Sequence, residues 1–525
     1  MPPASGRAAT TGTSETLAGF VEHHARHRPD GIAIRYGDRQ WSWAQWASRI
    51  RRAAGALQAA SLQRGQCVAF LDKNHPACLE VLFAAASIGA VTTVVNWRVF
   101  GDELVHVLND SGARLLFVGA ELHPTVEAAA ARVPGLERII VVGNTPDGGD
   151  EYESLLAVAS PVETDAEVDE DETALVIYSS GTTGRPKGVL LSQRALANHA
   201  ANLAPAFPFA EGDANLVAMP LFHVGGIGYS LFGIRAGAPT IMTREPDAAA
   251  LIDAVRAGAT HAFFVPPVIA RFLEAGETAI SGLRYIVYGA APMPLPLLHR
   301  ALATWPDTNF VQVYGQTEVC GAVTALSDAD HRDPTRPDLQ LSAGKAVLGT
   351  EIRIVDPETG DQLPPGDRGE IWVRSNQNMS GYLNRPEATA DTITADEWVR
   401  TGDVGRLDAD DYVYIEDRLK DMVITGGENV YGPKVESVLI EHPAISDAAI
   451  IGVPDDYWGE SVKAIVVATT EIDPGDIIDF CRRHLAGYKC PRTVDFVASL
   501  PRNASGKILK NALREPYWQD RTRNV

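Results

Sequence analysis

Cysteine is scarce: Cys67, Cys78, Cys320, Cys481 and Cys490 are all that 525 residues contain. They make no Cys-x-x-Cys pair and no metal-finger spacing, which argues against a disulfide scaffold and a structural zinc site and fits reduced, cytosolic thiols. Long hydrophobic runs are missing too. The longest uncharged apolar stretch, Val81 to Val95, carries Ser, Gly and two Thr and falls short of the roughly 18 residues of a membrane span, so it reads as core. Positive charge is in deficit, 46 Lys and Arg against 67 Asp and Glu, net −21. That balance repels nucleic acid and anionic membrane surfaces, and neither is expected as a general partner, although peripheral membrane contact through a local patch stays open. Residues 1–16 lack an apolar signal region and the Arg-Asn-Val ending matches no peroxisomal or reticulum-retention signal, so the expected location is the cytoplasm. No repeat of 20–50 residues is present.

What is there is enough chain for two to four domains, with 45% hydrophobic and 22% charged residues, an ordinary globular composition. Apolar strands at Val68 to Leu71, Val91 to Val95, Leu115 to Val118 and Ile139 to Val142 alternate with helical patterns at Leu79 to Ile88 and Thr125 to Arg132. That is a βαβ texture, and it implies parallel sheets covered by helices on both faces. After about Ala343, shorter alternating strands separated by Gly, Pro and Asp turns suggest an antiparallel region. From about Asp421 a further unit of about 105 residues reads as a separate small α+β domain. His23, His24 and His27 lie in a polar helical pattern and are expected to face solvent.

Chemistry concentrates after the strand Leu175 to Tyr178, in Ser179-Ser180-Gly181-Thr182-Thr183-Gly184-Arg185-Pro186-Lys187-Gly188. Glycines let backbone N–H groups turn inward around an anion, hydroxyls donate, and lysine adds a point charge: a phosphate loop. Gly184 and Lys187 are not adjacent, so it is not a P-loop, and no Gly-x-Gly-x-x-Gly joins a strand to a helix. With Met219-Pro-Leu-Phe-His223, Tyr288-Gly-Ala-Ala-Pro292, Tyr314-Gly-Gln-Thr-Glu318, Trp398-Val-Arg-Thr-Gly-Asp403, the run Asp417 to Asn429 and Pro501-Arg-Asn-Ala-Ser-Gly-Lys507 in that order, the chain resembles the AMP-binding, adenylate-forming acyl-CoA synthetase superfamily. Ser179 departs from the threonine of many members but keeps the hydroxyl. The detailed look is most similar to bacterial fatty-acid-CoA ligases.

The resemblance implies an α/β fold: a large N-terminal domain of parallel or mixed sheets covered by helices plus a β-rich subdomain, and a small mobile α+β C-terminal domain. The corresponding boundaries are 1–416 for the adenylation domain, 417–420 for a hinge centred on Lys420, and 421–525 for the mobile domain. It further implies ATP, Mg²⁺ and coenzyme A as cofactors, a small carboxylic acid as substrate, and a monomer or homodimer. Residues Ser179 to Lys187, with Thr183 also counted as catalytic, should hold the β- and γ-phosphates. Glu318 should ligate Mg²⁺ and Thr317 donate to the α-phosphate. Gly289, Ala290, Ala291, Tyr314, Gly315 and Gln316 should surround the adenine, and Asp403 with Arg418 the ribose. Lys507 should be the mobile catalytic lysine, Gly426 and Gly427 should line the pantetheine tunnel, and Trp458, Tyr488 and Lys489 should touch CoA. The tail from Lys489 has eight Lys or Arg against three Asp or Glu, a local surplus suited to polyanions.

By the same resemblance the acid pocket comprises His223, Val224, Gly225, Gly226, Gly228, Phe264, Val265, Tyr288, Gly289 and Val313, with His223 as gate or carboxylate neighbour. The set is small and apolar, so an apolar acyl group is expected. No carboxylate follows His223 in Val-Gly-Gly-Ile-Gly, so an amino acid is not the expected substrate. The expectation is a fatty acid, with an aryl acid, a carrier-protein acceptor, and a catalytically dead nucleotide-binding scaffold as the competing readings.

Overall fold

The computed structural model describes residues 16–145, 148–163, 168–179, 186–276, 280–425, 428–455, 457–502 and 508–519. Two large mixed sheets form the body. In one, strands Thr173–Ser179, Val91–Val94, Cys67–Leu71, Ala113–Gly119 and Arg138–Val142 run parallel, while Lys187–Ser192 and Gly381–Tyr382 add antiparallel at one edge. In the other, Asn309–Gln316, Tyr285–Gly289, His261–Phe264, Asn215–Val217, Thr240–Met242 and Ile32–Tyr36 run parallel, with antiparallel strands closing both edges. The parallel centres read as continuous apolar runs because both faces are buried.

The stretch Val81 to Val95 supplies the second half of the helix Pro76–Ser87, whose residues are all buried, and the strand Val91–Val94. His75 caps the helix, its Nδ1 accepting from Ala77 N–H at 3.1 Å, and Pro76 opens it where no N–H is needed. One carboxylate is carried into that core. Glu80 is fully buried, paired with Arg49 at 2.6 Å and receiving the Tyr152 hydroxyl at 2.7 Å, so its charge is compensated from both sides. The histidine expectation fails at one position: His24 is buried against Trp43 with its Nε2 3.1 Å from the Arg235 carbonyl oxygen, because it falls on the apolar face of helix Leu17–His27. His23 and His27 are not among the buried residues.

Past Ala343 the antiparallel reading is met by a four-stranded sheet, Thr350–Val355, Gly369–Ser375, Val399–Leu407 and Val413–Arg418. The last unit is built on the long hairpin Ile445–Asp455 with Gly459–Ala468, packed by helices Gly432–Ile440, Pro474–His484 and Lys510–Trp518. Between these units the chain changes allegiance within two residues. Arg418 Nε reaches Asp403 at 3.1 Å and Leu419 N–H donates to Gly402 O, both on the large side. Arg514 of the C-terminal helix then donates to the Lys420 carbonyl and pairs with Asp421 at 2.7 Å, both on the small side.

Candidate functional site

The strands Tyr285–Gly289 and Asn309–Gln316 end side by side, and the chain emerging from each is bent by backbone that only certain residues tolerate. Ala290 follows its strand with φ +63°, and a Cβ on Gly289 would collide with the Val313 carbonyl. Beyond Gln316, the single turn Thr317–Val319 and left-handed Cys320 (φ +58°) and Gly321 (φ +112°) throw the chain back as the strand Gly321–Leu326. Thr317 and Glu318 therefore stand at the tip of a tight reversal at the carboxyl end of a parallel sheet, where open α/β sheets place ligands.

Around that tip two polar clusters assemble from distant segments. Glu318 Oε1 receives the Tyr382 hydroxyl at 2.9 Å and lies 3.5 Å from the Ser179 hydroxyl, and Lys187 Nζ sits 4.9 Å from the Tyr382 ring centre. Burial first, and then the Glu318 carboxylate, pushes the Tyr382 hydroxyl pKa upward, so it stays a donor. In the second cluster Asp403, buried in the middle of its bulged strand Val399–Leu407, accepts from the Tyr314 hydroxyl at 2.8 Å and pairs with Arg418. Burial foremost, and then the Asp403 charge, raises the Tyr314 pKa far above its ordinary value. Gln316 Nε2 donates to the Thr401 carbonyl at 3.3 Å and closes the gap between the clusters. Tyr382 was missed in the sequence; a tyrosine after Gly381 on a two-residue strand was the available signal.

These groups suit a polyanion bearing a sugar diol: two cations, hydroxyl donors and one buried carboxylate with acceptor capacity. Glu318 stands alone, since no cluster of three metal-ligating side chains exists among the described residues. One hard carboxylate fits Mg²⁺, which keeps waters and takes substrate phosphate oxygens as its remaining ligands.

The acid-pocket set divides. Helix Val224–Ala236, which His223 precedes and which carries Val224, Gly225, Gly226 and Gly228, runs beside the strand Gly321–Leu326 that leaves the turn. Val265 and Val313 pack on that same side, as does Phe263. Phe264 and Tyr288 do not: they are buried on the opposite face of the sheet, where the Tyr288 hydroxyl lies 2.6 Å from His331 Nε2. Side chains alternate along a strand, so a one-residue parity choice decides the face. The glycines are not open space either. Gly225 faces the Phe263 ring edge, Gly228 faces the His199 imidazole at 2.8 Å from where a Cβ would lie, and Gly226 abuts the Pro220 carbonyl. Gly226→Ala should therefore destabilise the protein by about 3 kcal/mol, the upper end of overpacking costs, because backbone and not a mobile side chain must yield. Thermal unfolding checks this, and an unchanged midpoint would refute it. His223 heads the helix without capping it; burial holds its pKa down at about 4, and its Nε2 has no partner among the described residues.

Ser180, Gly181, Thr182, Thr183, Gly184, Gly426, Gly427 and Lys507 lie outside the described residues. Ala291 is half-buried beside exposed Ala290, and Gly315 is exposed. Trp458 and Tyr488 are both exposed on the small unit, with Arg492 stacked 4.7 Å from the Trp458 ring centre. Lys489 Nζ is 5.4 Å from the Tyr488 ring centre.

The profile of the family described as "AMP-binding enzyme" matches residues 21–383, and that of the "AMP-binding enzyme C-terminal domain" matches residues 434–507. A fatty acid–[acyl-carrier-protein] ligase, ScoC, of Streptomyces coeruleorubidus is 37% identical, over 97% of this chain and 98% of that protein. A feruloyl-CoA synthase of an Amycolatopsis species is 36% identical, over 96% and 99%. Among solved structures, ATP-bound MatB from Rhodopseudomonas palustris superposes with a TM-score of 0.86 at 31% identity, covering 95% of this chain and 99% of that one. No helix among the described residues is long and apolar enough to cross a membrane.

Proposed function

The chain belongs to the AMP-binding enzyme family and is an AMP-forming acid–thiol ligase using ATP, Mg²⁺ and CoA, and from that premise we propose that it activates a compact, ring-bearing carboxylic acid. A carboxylate offers a thiol no leaving group. Its oxygen attacks the α-phosphorus of ATP, pyrophosphate departs, and the CoA thiolate then attacks the acyl carbon of the adenylate and expels AMP. Both steps gather negative charge where fixed donors and cations are most effective.

In this reading Ser179 to Lys187 hold the terminal phosphates, Thr317 donates to the α-phosphate, and Asp403 accepts from both ribose hydroxyls with Arg418 beside it. Gly289, Ala290, Ala291 and Tyr314 frame the adenine, close approach being allowed by the absent or small side chains. Glu318 would hold Mg²⁺, whose bound charge offsets that of the phosphates. Tyr382 fixes the Glu318 carboxylate by donating to one oxygen. The observation that carries the nucleotide assignment is this pair of buried and half-buried carboxylates, each held by a tyrosine hydroxyl near the carboxyl end of the strand Asn309–Gln316.

For the acid, the supporting observation is that the neighbours of Gly225, Gly226 and Gly228 already occupy the space those glycines leave. That favours a short, flat acyl body among aromatic walls over a long alkyl chain, and the feruloyl-CoA relative agrees in type. The ScoC relative supports the second reading, a fatty acid. ATP-dependent pyrophosphate release across aryl and straight-chain acids, with and without CoA, tests the choice: preference for decanoate over cinnamate would reverse it.

We also place the hinge at Lys420, supported by the switch from large-unit to small-unit hydrogen bonds between Leu419 N–H and the Lys420 carbonyl. Lys420→Pro fixes φ at this pivot and should slow thioester formation about tenfold or more while adenylation falls less. Single-turnover comparison of the half-reactions decides it, equal losses rejecting the pivot.

A further inference from the structure

The helix Gly101–Asp110 ends on a charge that its own dipole disfavours. Asp110 is its last residue, where the free carbonyls make a carboxylate unfavourable, and its side chain is only 10% exposed. A covered carboxylate persists at such a position when its contacts outweigh the cost. Its Oδ2 accepts from the Tyr178 hydroxyl at 2.9 Å, its backbone carbonyl accepts from Asn384 Nδ2 at 3.0 Å, and Arg385 stands 3.8 Å from its Oδ1. One turn earlier, His106 Nε2–H donates to the Pro186 carbonyl at 3.2 Å, with its ring perpendicular to that of Tyr178. Burial foremost, and then the Asp110 charge, pushes the Tyr178 pKa upward, so its hydroxyl keeps the proton it donates.

Those contacts grip three strands at one place. Tyr178 lies at the end of the strand Thr173–Ser179 that enters the phosphate loop, Pro186 precedes the strand Lys187–Ser192 that leaves it, and Asn384 follows the short strand Gly381–Tyr382. The first two strands pair Ser179 with Lys187. The third continues the sheet, with Tyr382 opposite Val189 and Leu383 N–H on the Gly188 carbonyl at 2.8 Å. Asn384 then turns with φ +54°, a left-handed conformation that asparagine tolerates, and delivers its amide to the helix end. The last turn of one helix thus fixes where Ser179 and Lys187 stand relative to each other and to Tyr382, whose hydroxyl holds Glu318.

Resting on the assignment of Ser179 to Lys187 to the terminal phosphates, we propose that Asp110, assisted by His106, is a positioning residue for the triphosphate: it holds the two ends of that loop at the spacing the β- and γ-phosphates require. It acts through Tyr178 and touches no substrate itself. Ligands without those two phosphates do not depend on it.

Affinities for ATP and AMP, measured by calorimetry, separate this role from a merely structural one, because AMP lacks the phosphates in question. Asp110→Ala should weaken ATP binding about tenfold, the smaller end for one hydrogen bond to a charged group, and raise the KM for pyrophosphate in the exchange reaction by a similar factor. AMP affinity should move less than about twofold, as should the rate of thioester formation from supplied acyl-adenylate, which carries neither phosphate. Asp110→Asn keeps an acceptor oxygen for the Tyr178 hydroxyl and should recover most of the ATP affinity. Tyr178→Phe breaks the same bond from the other side while Asp110 keeps Arg385, and should reproduce the selective loss of ATP even where Asp110→Ala does not fold. Equal loss of ATP and AMP, or unchanged ATP affinity in Tyr178→Phe, overturns the proposal. Lys187→Ala tells that failure from failure of the loop assignment: ATP weakened in Lys187→Ala but not in Tyr178→Phe overturns the positioning role alone, whereas ATP unchanged in Lys187→Ala overturns both.

Discussion

Asp403→Ala should raise the KM for ATP and cut kcat/KM for adenylation by about a hundredfold to ten-thousandfold. The carboxylate is proposed to accept from both ribose hydroxyls, and hydrogen bonds to a charged group contribute about 1.5–3 kcal/mol each, so losing two removes two to four decades. The variant also strips the Tyr314 hydroxyl and Arg418 of a shared partner. Arg418 lies two residues before the pivot and is tied to the large unit through Asp403, so thioester formation should suffer too. Asp403→Asn keeps one acceptor oxygen and should lose only about tenfold. Pyrophosphate exchange at varied ATP, with thermal unfolding to show that the variants fold, checks both. An unchanged ATP KM in Asp403→Ala would sink the ribose assignment.

How far the sequence reveals such a site depends on whether the partners are local. The turn after Gln316, the loop after Tyr178 and the strand carrying Asp403 each announce themselves in a few adjacent residues, because glycines and hydroxyls cluster where backbone must bend around a ligand. The parallel strands were legible for a similar reason: burial on both faces leaves uninterrupted apolar runs. Tyr382 was not legible, since its meaning lies in Glu318, 64 residues earlier in the chain. Phe264 and Tyr288, expected in the acid pocket, lie on the other face of the sheet, and the sequence could not tell, because an apolar run buried on both sides carries no alternation to set its parity. Gly225, Gly226 and Gly228 announced close approach, yet only the packing tells that a carbonyl, a phenyl edge and an imidazole have taken the space. His24 shows the same limit, a polar residue whose partners are a tryptophan ring and a carbonyl more than 200 residues away.

Lys507→Ala should abolish adenylation, with a loss of about a thousandfold, and leave the second half-reaction nearly intact. The first step drives an anionic carboxylate against an anionic α-phosphate. A lysine about 4 Å from each is worth about 4 kcal/mol at an effective dielectric of 20, close to three decades in rate. Thioester formation starts from an adenylate whose acyl carbon is already activated, so it has no such pair of anions to join, and its rate from supplied acyl-adenylate should fall less than about tenfold. The fold should be spared. On either side of the segment Arg502 and Ile508 pair with each other, Arg502 bonds Asp447 at 2.7 Å, and Arg514 and Lys510 hold the following helix through Asp421 and Glu436. None of these anchors uses Lys507. Lys507→Arg keeps the charge but replaces a compact ammonium with a planar fork, so it should recover only part of the rate. Comparison of pyrophosphate exchange with thioester formation from supplied adenylate is decisive: equal loss in both would make Lys507 structural, and full retained exchange would remove it from the reaction.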